Sequence, residues 1–352
     1  LTIQKLTIMN NKIFTLFIAA LLISNVSFAK IFRLGYTGPQ ITGVDYTNAQ
    51  TAHDAASAGD TLLLFPGSYN INTATKKLVY LGFGYYTSST DANPNLQLLT
   101  GNCRLAIYLN VGASGSTFEG IEGLSAYPIS GQSINDITIR RSKGTAAVFS
   151  SAGTTCNNWQ ISQCTEMYIS RNVLGGNTIN LRVENSHISQ VYLDGSNLHT
   201  GRFNNCVFTN APDLNNNAIN FQNCIFFNSV GATNGITNSL FQYCLFPGAD
   251  PGLSGSNNKF NIAFSTSGIN NVFTGYPQTV AGQTADGKYQ LKVGSPAIGA
   301  GMGGIDMGMY GGANPYKLSG IPSIPAFYKL TAPSNNATTN PYTITFSVRS
   351  NN

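Results

Sequence analysis

The side chains best placed to touch a ligand form a column along the chain. Between Ile137 and Phe246 a short pattern returns six times, and two residues ahead of its anchor stand Arg140, Ser162, Glu184, Asn204, Gln222 and Gln242. Four residues ahead of the anchor, Arg182 and Arg202 fall on consecutive repeats. Guanidinium, carboxylate and amide groups in one row can exchange hydrogen bonds with an extended polar ligand. Arg182, Glu184, Arg202, Asn204, Gln222 and Gln242 are therefore the candidate ligand-contacting residues. Hydrolysis of a glycosidic bond asks for two carboxylates about 5 to 9.5 Å apart. Glu184 has no acidic neighbour in this column, so the row lacks a catalytic pair and is either a track for an extended ligand or an ordinary solvated face kept polar for solubility. Glu166 with Arg171, Asp194 with His199, and the run Arg140-Arg141-Ser142-Lys143 are weaker candidates. Each also suits a solvated loop or a strand edge, where charge discourages edge pairing. His53, His187 and His199 show no metal-ligand spacing. No phosphate loop, nucleophile elbow or dinucleotide fingerprint occurs, and neither a metal nor a cofactor is expected.

What must position this row is a repeat. The anchors Ser142, Cys164, Ser186, Cys206, Cys224 and Cys244 are 22, 22, 20, 18 and 20 residues apart. Three residues ahead of each stands Ile139, Ile161, Val183, Phe203, Phe221 or Phe241, and one residue ahead stands Arg141, Gln163, Asn185, Asn205, Asn223 or Tyr243. A period near 20 with columns of matched character marks a solenoid. Short, Asn-rich, β-forming segments exclude a helical repeat and fit three strands and three turns per coil. The fold expected is all-β, a right-handed parallel β-helix with coils stacked about 4.8 Å apart. The Phe column should pile up inside, and Asn185, Asn205 and Asn223 should bond along the axis at a repeated bend. Ser142 and Ser186 share a column with Cys164, Cys206, Cys224 and Cys244, so that column wants a small side chain and its thiols should be buried and free. Cys164 and Cys206 would sit about 9.6 Å apart, beyond disulfide reach.

The first residues have the texture of an export signal. Lys12 precedes the apolar run Ile13 to Val26, and Ser27-Phe28-Ala29 offers a cleavage pattern, so the mature chain should begin near Lys30. The run is short for a bilayer span, so no membrane span is expected in the mature chain. The destination expected is extracellular, cell-surface or periplasmic. Only 9% of residues are charged against 42% hydrophobic. Without Lys5 and Lys12 the count is 17 basic to 14 acidic, a net charge of +3 that does not suggest a nucleic-acid partner.

Two further stretches carry a resemblance. Thr51 to Asp60 has Ala at helical spacing and a closing Gly59, and Thr61-Leu62-Leu63-Leu64-Phe65 follows as an apolar strand ended by Pro66-Gly67. This resembles the amino-terminal helical cap of the pectate-lyase-like right-handed β-helix superfamily. Gly294 to Gly301 (GSPAIGAG) and Gly304 to Gly312 (GIDMGMYGG) resemble the closing motif of secreted and surface β-helix proteins of Bacteroidota, with Met307 and Met309 where Ile and Ala are usual. Asp306 in that turn is expected to be a local backbone acceptor. The divisions expected are 1–29 leader, 30–312 β-helix with caps, and 313–352 a Pro-rich extension with Tyr342, Ile344, Phe346 and Val348 on one strand face. That strand could lie back on the solenoid as a cap or belong to a small sorting element. Tyr80, Tyr85 and Tyr86 could stack on sugars, although an aromatic cluster over the early coils suits them better. The resemblance admits polysaccharide lyases and hydrolases, with Ca²⁺ entering only for a lyase. The residues themselves favour a non-catalytic secreted or surface protein for adhesion or contact with a polysaccharide or cell-surface glycan. A structural, self-assembling module is a third reading. The oligomeric state is left open.

Overall fold

The computed structural model describes residues 29–35, 44–87, 101–144, 147–148, 153–170, 176–193, 198–215, 217–231, 234–263, 271–276, 281, 283–331 and 343–350. The expected leader lies outside these apart from Ala29. All the described strands belong to the unit Ile31–Asn352.

The chain is a right-handed parallel β-helix with very little helix. Its strands stack into two parallel sheets, of 13 and 8 strands among the described residues. In the larger sheet Leu62, Tyr80, Phe118, Ile139, Ile161, Val183, Phe203, Phe221 and Phe241 pair in register as one column. All are buried. The coil spacing suits stacked rings: Phe203–Phe221 and Phe221–Phe241 lie nearly parallel with centroids 5.2 and 4.7 Å apart. Phe208, Phe226 and Phe246 from the second sheet stack likewise at 4.7 and 4.8 Å. Across the lumen the two columns meet edge to face, as between Phe221 and Phe226 at 5.6 Å.

At the amino-terminal end the helix Ala49–Ala55 closes the lumen, capped by Asn48, whose side chain accepts from Thr51 N at 2.9 Å. Lys76 Nζ closes the other end by donating to the carbonyls of His53, Asp54 and Ala56. His53 accepts from Thr75 N on Nε2 at 3.0 Å, so its Nδ1 proton faces Tyr80 Oη at 3.1 Å. Ahead of the helix, Ile31–Leu34 adds a strand that pairs with Thr61–Leu64, in a stretch where the sequence had shown none.

Each first-sheet strand of the repeat block ends at a residue in the left-handed region: Arg141, Gln163, Asn185, Asn205, Asn223 and Tyr243, with φ between 47° and 55°. Asn accepts this conformation at lower cost than other L residues. The anchor that follows satisfies the carbonyl two residues back. Ser142, Ser186 and Cys206 donate at 3.0, 2.7 and 3.3 Å to Arg140 O, Glu184 O and Asn204 O. A hydroxyl or a thiol can do this, which explains the mixed Ser/Cys column. All six cysteines are free and buried.

The expected axial bonding of Asn185, Asn205 and Asn223 needs correction. Among these three, only one axial contact forms, Asn223 Nδ2 to Asn205 Oδ1 at 3.3 Å. The continuous side-chain ladder is instead Asp136–Asn158–Asn180, also left-handed, with bonds of 3.0 and 2.8 Å. The first column is occupied elsewhere. The chain returns along the bends as a strap, and Asn223 Oδ1 accepts from Met302 N at 2.8 Å. Asn205 Nδ2 donates to Asp306 O and Gly308 O at 2.9 and 3.3 Å. Asn185 Nδ2 donates to Met309 O and Gly311 O at 3.1 and 2.7 Å. Gln163 then reaches Pro315 O, and Arg141 reaches Ile321 O, each in turn one coil further back. The strap contacts thus run on past residue 312.

Strap and solenoid enclose a second core in which Met307 and Met309 are fully buried with Val207, Ile225, Leu245, Val272 and Tyr289. Phe273 belongs to this outer core, while Phe260 stacks on Phe246 at 5.2 Å. Gly311 has no room for a side chain: a Cβ there would lie 2.0 Å from Asp306 O and 2.7 Å from Asn205 Nδ2. Asp306 accepts from Gly299 N at 2.8 Å, the local role expected of it.

Asn205→Asp keeps shape and tolerance of the bend but turns a donor between two carbonyls into an acceptor. It should cost about 2 to 4 kcal/mol, read as a lower melting temperature with faster proteolysis between residues 295 and 323. An unchanged melt and cleavage pattern would show that the bend does not hold the strap.

Candidate functional site

The larger sheet places the polar row on its outward face, because side chains alternate across a strand and Phe203, Phe221 and Phe241 point in. Ser162, Glu184, Asn204, Gln222 and Gln242 pair in register across successive strands. Arg182 pairs with Arg202, then Asn220 and Leu240. All six nominated residues therefore share one face. Arg202 Nη2 meets Glu184 Oε1 at 2.9 Å, with side chains 54% and 36% exposed, so this pair contributes little to stability. Arg182 Nε donates to Asn180 Oδ1 at 3.3 Å. Two guanidinium groups thus sit on adjacent strands, and the single carboxylate, Glu184, pairs with Arg202.

A depression of about 180 Å³ opens on this face, lined by Arg202, Asn204, Asn220, Gln222, Leu240 and Gln242 with Phe203 and Phe221. Asn220 and Leu240 escaped the sequence criteria because they continue the arginine column without charge. At the border of the row, Gln222 Nε2 approaches Met302 Sδ of the strap at 2.9 Å. The upstream end is closed by Arg140, whose Nε donates to the buried Glu119 at 2.7 Å.

The weaker candidates disperse. Arg140 and Arg141 both reach the buried Glu119, Arg141 also reaching the strap, while Ser142 donates to the carbonyl of Arg140 and Lys143 meets Glu122 and Glu166. Arg171 and Asp194 lie outside the described residues. Glu166 instead accepts from Tyr86 Oη at 2.5 Å, and Lys143 lies 4.2 Å from the centre of the Tyr86 ring. Burial, reinforced by this bond to Glu166, pushes the Tyr86 phenol far above its ordinary range. Tyr80 and Tyr85 are buried but not in one aromatic cluster over the early coils: Tyr80 stacks on Phe118 inside the lumen, while Tyr85 lies in the outer core beside Tyr86 and Tyr316. Tyr108, Tyr168 and Tyr192 are the exposed tyrosines of the second sheet, where Tyr108 pairs with Tyr127 and stacks on it at 5.2 Å, and Tyr328 is exposed on the strand Ala326–Thr331.

Behind this group, strap-side residues form a buried polar network. Asp286 accepts from Tyr316 Oη and Ser319 N, each at 2.7 Å, while burial raises its carboxyl above the ordinary range. Lys288 lies over Tyr289, 5.1 Å from the ring centre, and burial lowers its ammonium. Tyr289 Oη contacts His187 Nε2 at 3.1 Å. Glu166 N donates to His187 Nδ1 at 3.2 Å, which fixes the neutral tautomer protonated on Nε2. Asp286, Tyr289, Tyr316 and His187 are buried, and none of them belongs to the sheet that carries the row. Among the described residues no group of three or more His, Cys, Asp or Glu could hold a metal ion, and no helix is long and apolar enough to cross a membrane. The chain matches no protein-family model, no curated protein and no solved structure.

Burial, followed by the charge of Lys288, depresses His187 from 6.5 to about 3. The unfolded chain takes up this proton as pH falls below 6.5, whereas the folded chain refuses it until about 3. The contribution is thus complete above pH 6.5 and is lost progressively toward pH 3. His187→Gln should flatten the fall of melting temperature between about pH 6.5 and 4.5 relative to the parent chain. Parallel melting curves for the two proteins would contradict a neutral, buried imidazole.

Proposed function

We propose that this chain is a non-catalytic glycan-contacting β-helix, exported to the cell surface or beyond, and related to the pectate-lyase-like superfamily. Its ligand is an extended polysaccharide lying along the outward face of the larger sheet. The observation that carries this reading is the register of Glu184, Asn204, Gln222 and Gln242, beside Arg182 and Arg202, on consecutive strands. Strands repeat about every 4.8 Å, close to the length of one sugar residue, so each sugar meets one donor–acceptor set. Flat sheet and side chains already in place mean little ordering is needed on binding. The helical cap at Ala49–Ala55 and the GSPAIGAG…GIDMGMYGG closure support the superfamily kinship.

A hydrolase on this face would need a second carboxylate near Glu184, and a calcium-dependent lyase a cluster of them. The register neighbours of Glu184 are Ser162 and Asn204, which supply neither. Binding without turnover is therefore the chemistry these side chains favour.

The test is affinity electrophoresis through gels containing acidic and neutral polysaccharides, comparing the parent chain with an Arg182→Ala/Glu184→Ala/Arg202→Ala variant. Retention should fall at least about tenfold, as expected when charge-assisted hydrogen bonds are removed. The melting temperature should move by no more than about 2 °C, since the groups are exposed. Unaltered retention would remove this face from consideration. Release of unsaturated sugar products by the parent chain would replace binding with lyase chemistry.

A further inference from the structure

The carboxyl-terminal hairpin is amphipathic, and its apolar face is bare. Strands Ala326–Thr331 and Thr345–Arg349 pair antiparallel. Simple alternation would put Phe327 and Leu330 on opposite faces, since they are an odd number of residues apart. A register shift between Phe327 and Lys329 takes up Tyr328 as an extra residue, so that Phe327 pairs with Val348 and Leu330 with Phe346. With Ile344 continuing the alternation, five large apolar side chains share one face. They are not folded back on the solenoid as a cap: Phe327 is 53% exposed, Leu330 55%, Ile344 53%, Phe346 61% and Val348 41%. Lys329, Thr331, Thr345 and Ser347 take the other face by the same alternation.

We infer that this face is a contact between two copies of the chain, which pack their hairpins together across a two-fold axis into a four-stranded, two-layer unit. Two strands alone are marginally stable in water, and a second hairpin about 10 Å away supplies the missing layer. The face carries no charge, so an identical face is not repelled, and Lys329 stays in water on the outer side. The bulge matters here, because without it the face would be mixed and a symmetric copy could not bury it. The area sets the strength. Five half-exposed side chains offer roughly 500 Å² per copy, below the about 800 Å² per partner of a stable complex. The dimer is therefore weak and concentration-dependent. It would also join two polar rows, so that feeble contacts to one polysaccharide add as avidity.

Sedimentation equilibrium of the full chain from about 1 to 500 μM spans the affinities expected of so small an interface. The weight-average mass should climb toward twice the monomer as concentration rises. Phe346→Lys and, separately, Leu330→Lys should hold it at the monomer, while Thr345→Lys, a charge of the same sign on the opposite face, should leave the climb unchanged. Circular dichroism of all three variants should match the parent chain, since the solenoid is untouched. A monomer at every concentration, or self-association of Phe346→Lys equal to the parent, would overturn the inference. So would a monomer that floats with phosphatidylcholine vesicles through Phe346, which would make the face a lipid contact.

Discussion

A coil that closes in about 20 residues has to reverse sharply, and here the reversal at one corner is made by a single left-handed residue in six consecutive coils. This bend is the constraint on which the rest depends. It stops the first sheet and starts the second, and it sets the register that stacks Phe203 on Phe221 and Phe241. It also throws the side chain of the bend residue outward, one per coil. Three of the six are Asn, which tolerates the conformation and carries both a donor and an acceptor. A column of amides at coil spacing is then available to grip another segment of backbone, and the strap supplies its carbonyls.

The second core follows from that grip. Val207, Ile225 and Leu245 point away from the lumen just after the bend, and would be an apolar stripe in water without a cover. Met307 and Met309 fill the space over them, where an unbranched thioether fits an irregular gap between two elements that meet at an angle. The same closure buries Asp286 with Tyr316 and Tyr85, and His187 with Tyr289. These ionisable groups are spent on joining strap to solenoid. The outward face of the larger sheet is left to the solvent with its polar row, and Met302 marks where strap and row meet.

The lumen was legible in the sequence wherever the repeat length was steady, from Ile139 to Phe241, because the inward column needs one residue type at one spacing. Tyr80 and Phe118 belong to the same column but are separated by 38 residues, so periodicity alone did not join them. The free thiols were legible because serine alternated with cysteine. The use of Asn185, Asn205 and Asn223 was not: an Asn at a bend can bond along the axis or outward, and the choice depends on a segment about 100 residues away. The polar row was legible as one face, since alternation fixes it. Asn220 and Leu240 were missed because a depression is a property of neighbouring strands together. The exposed apolar hairpin was invisible as such, since the alternation of Ile344, Phe346 and Val348 shows a face but not whether anything covers it.

The central claim is that the bend column holds the strap as firmly as the coils hold one another. Hydrogen exchange on the native chain tests it residue by residue, because protection reports the free energy of opening each bond. Met302 N and Gly308 N donate to Asn223, while Ile225 N donates within the solenoid to Cys206 O. If the strap is part of the same cooperative unit, the amides of Met302 and Gly308 will be protected to the level of Ile225. Exchange of Met302 and Gly308 at free-peptide rates, with Ile225 still protected, would contradict it.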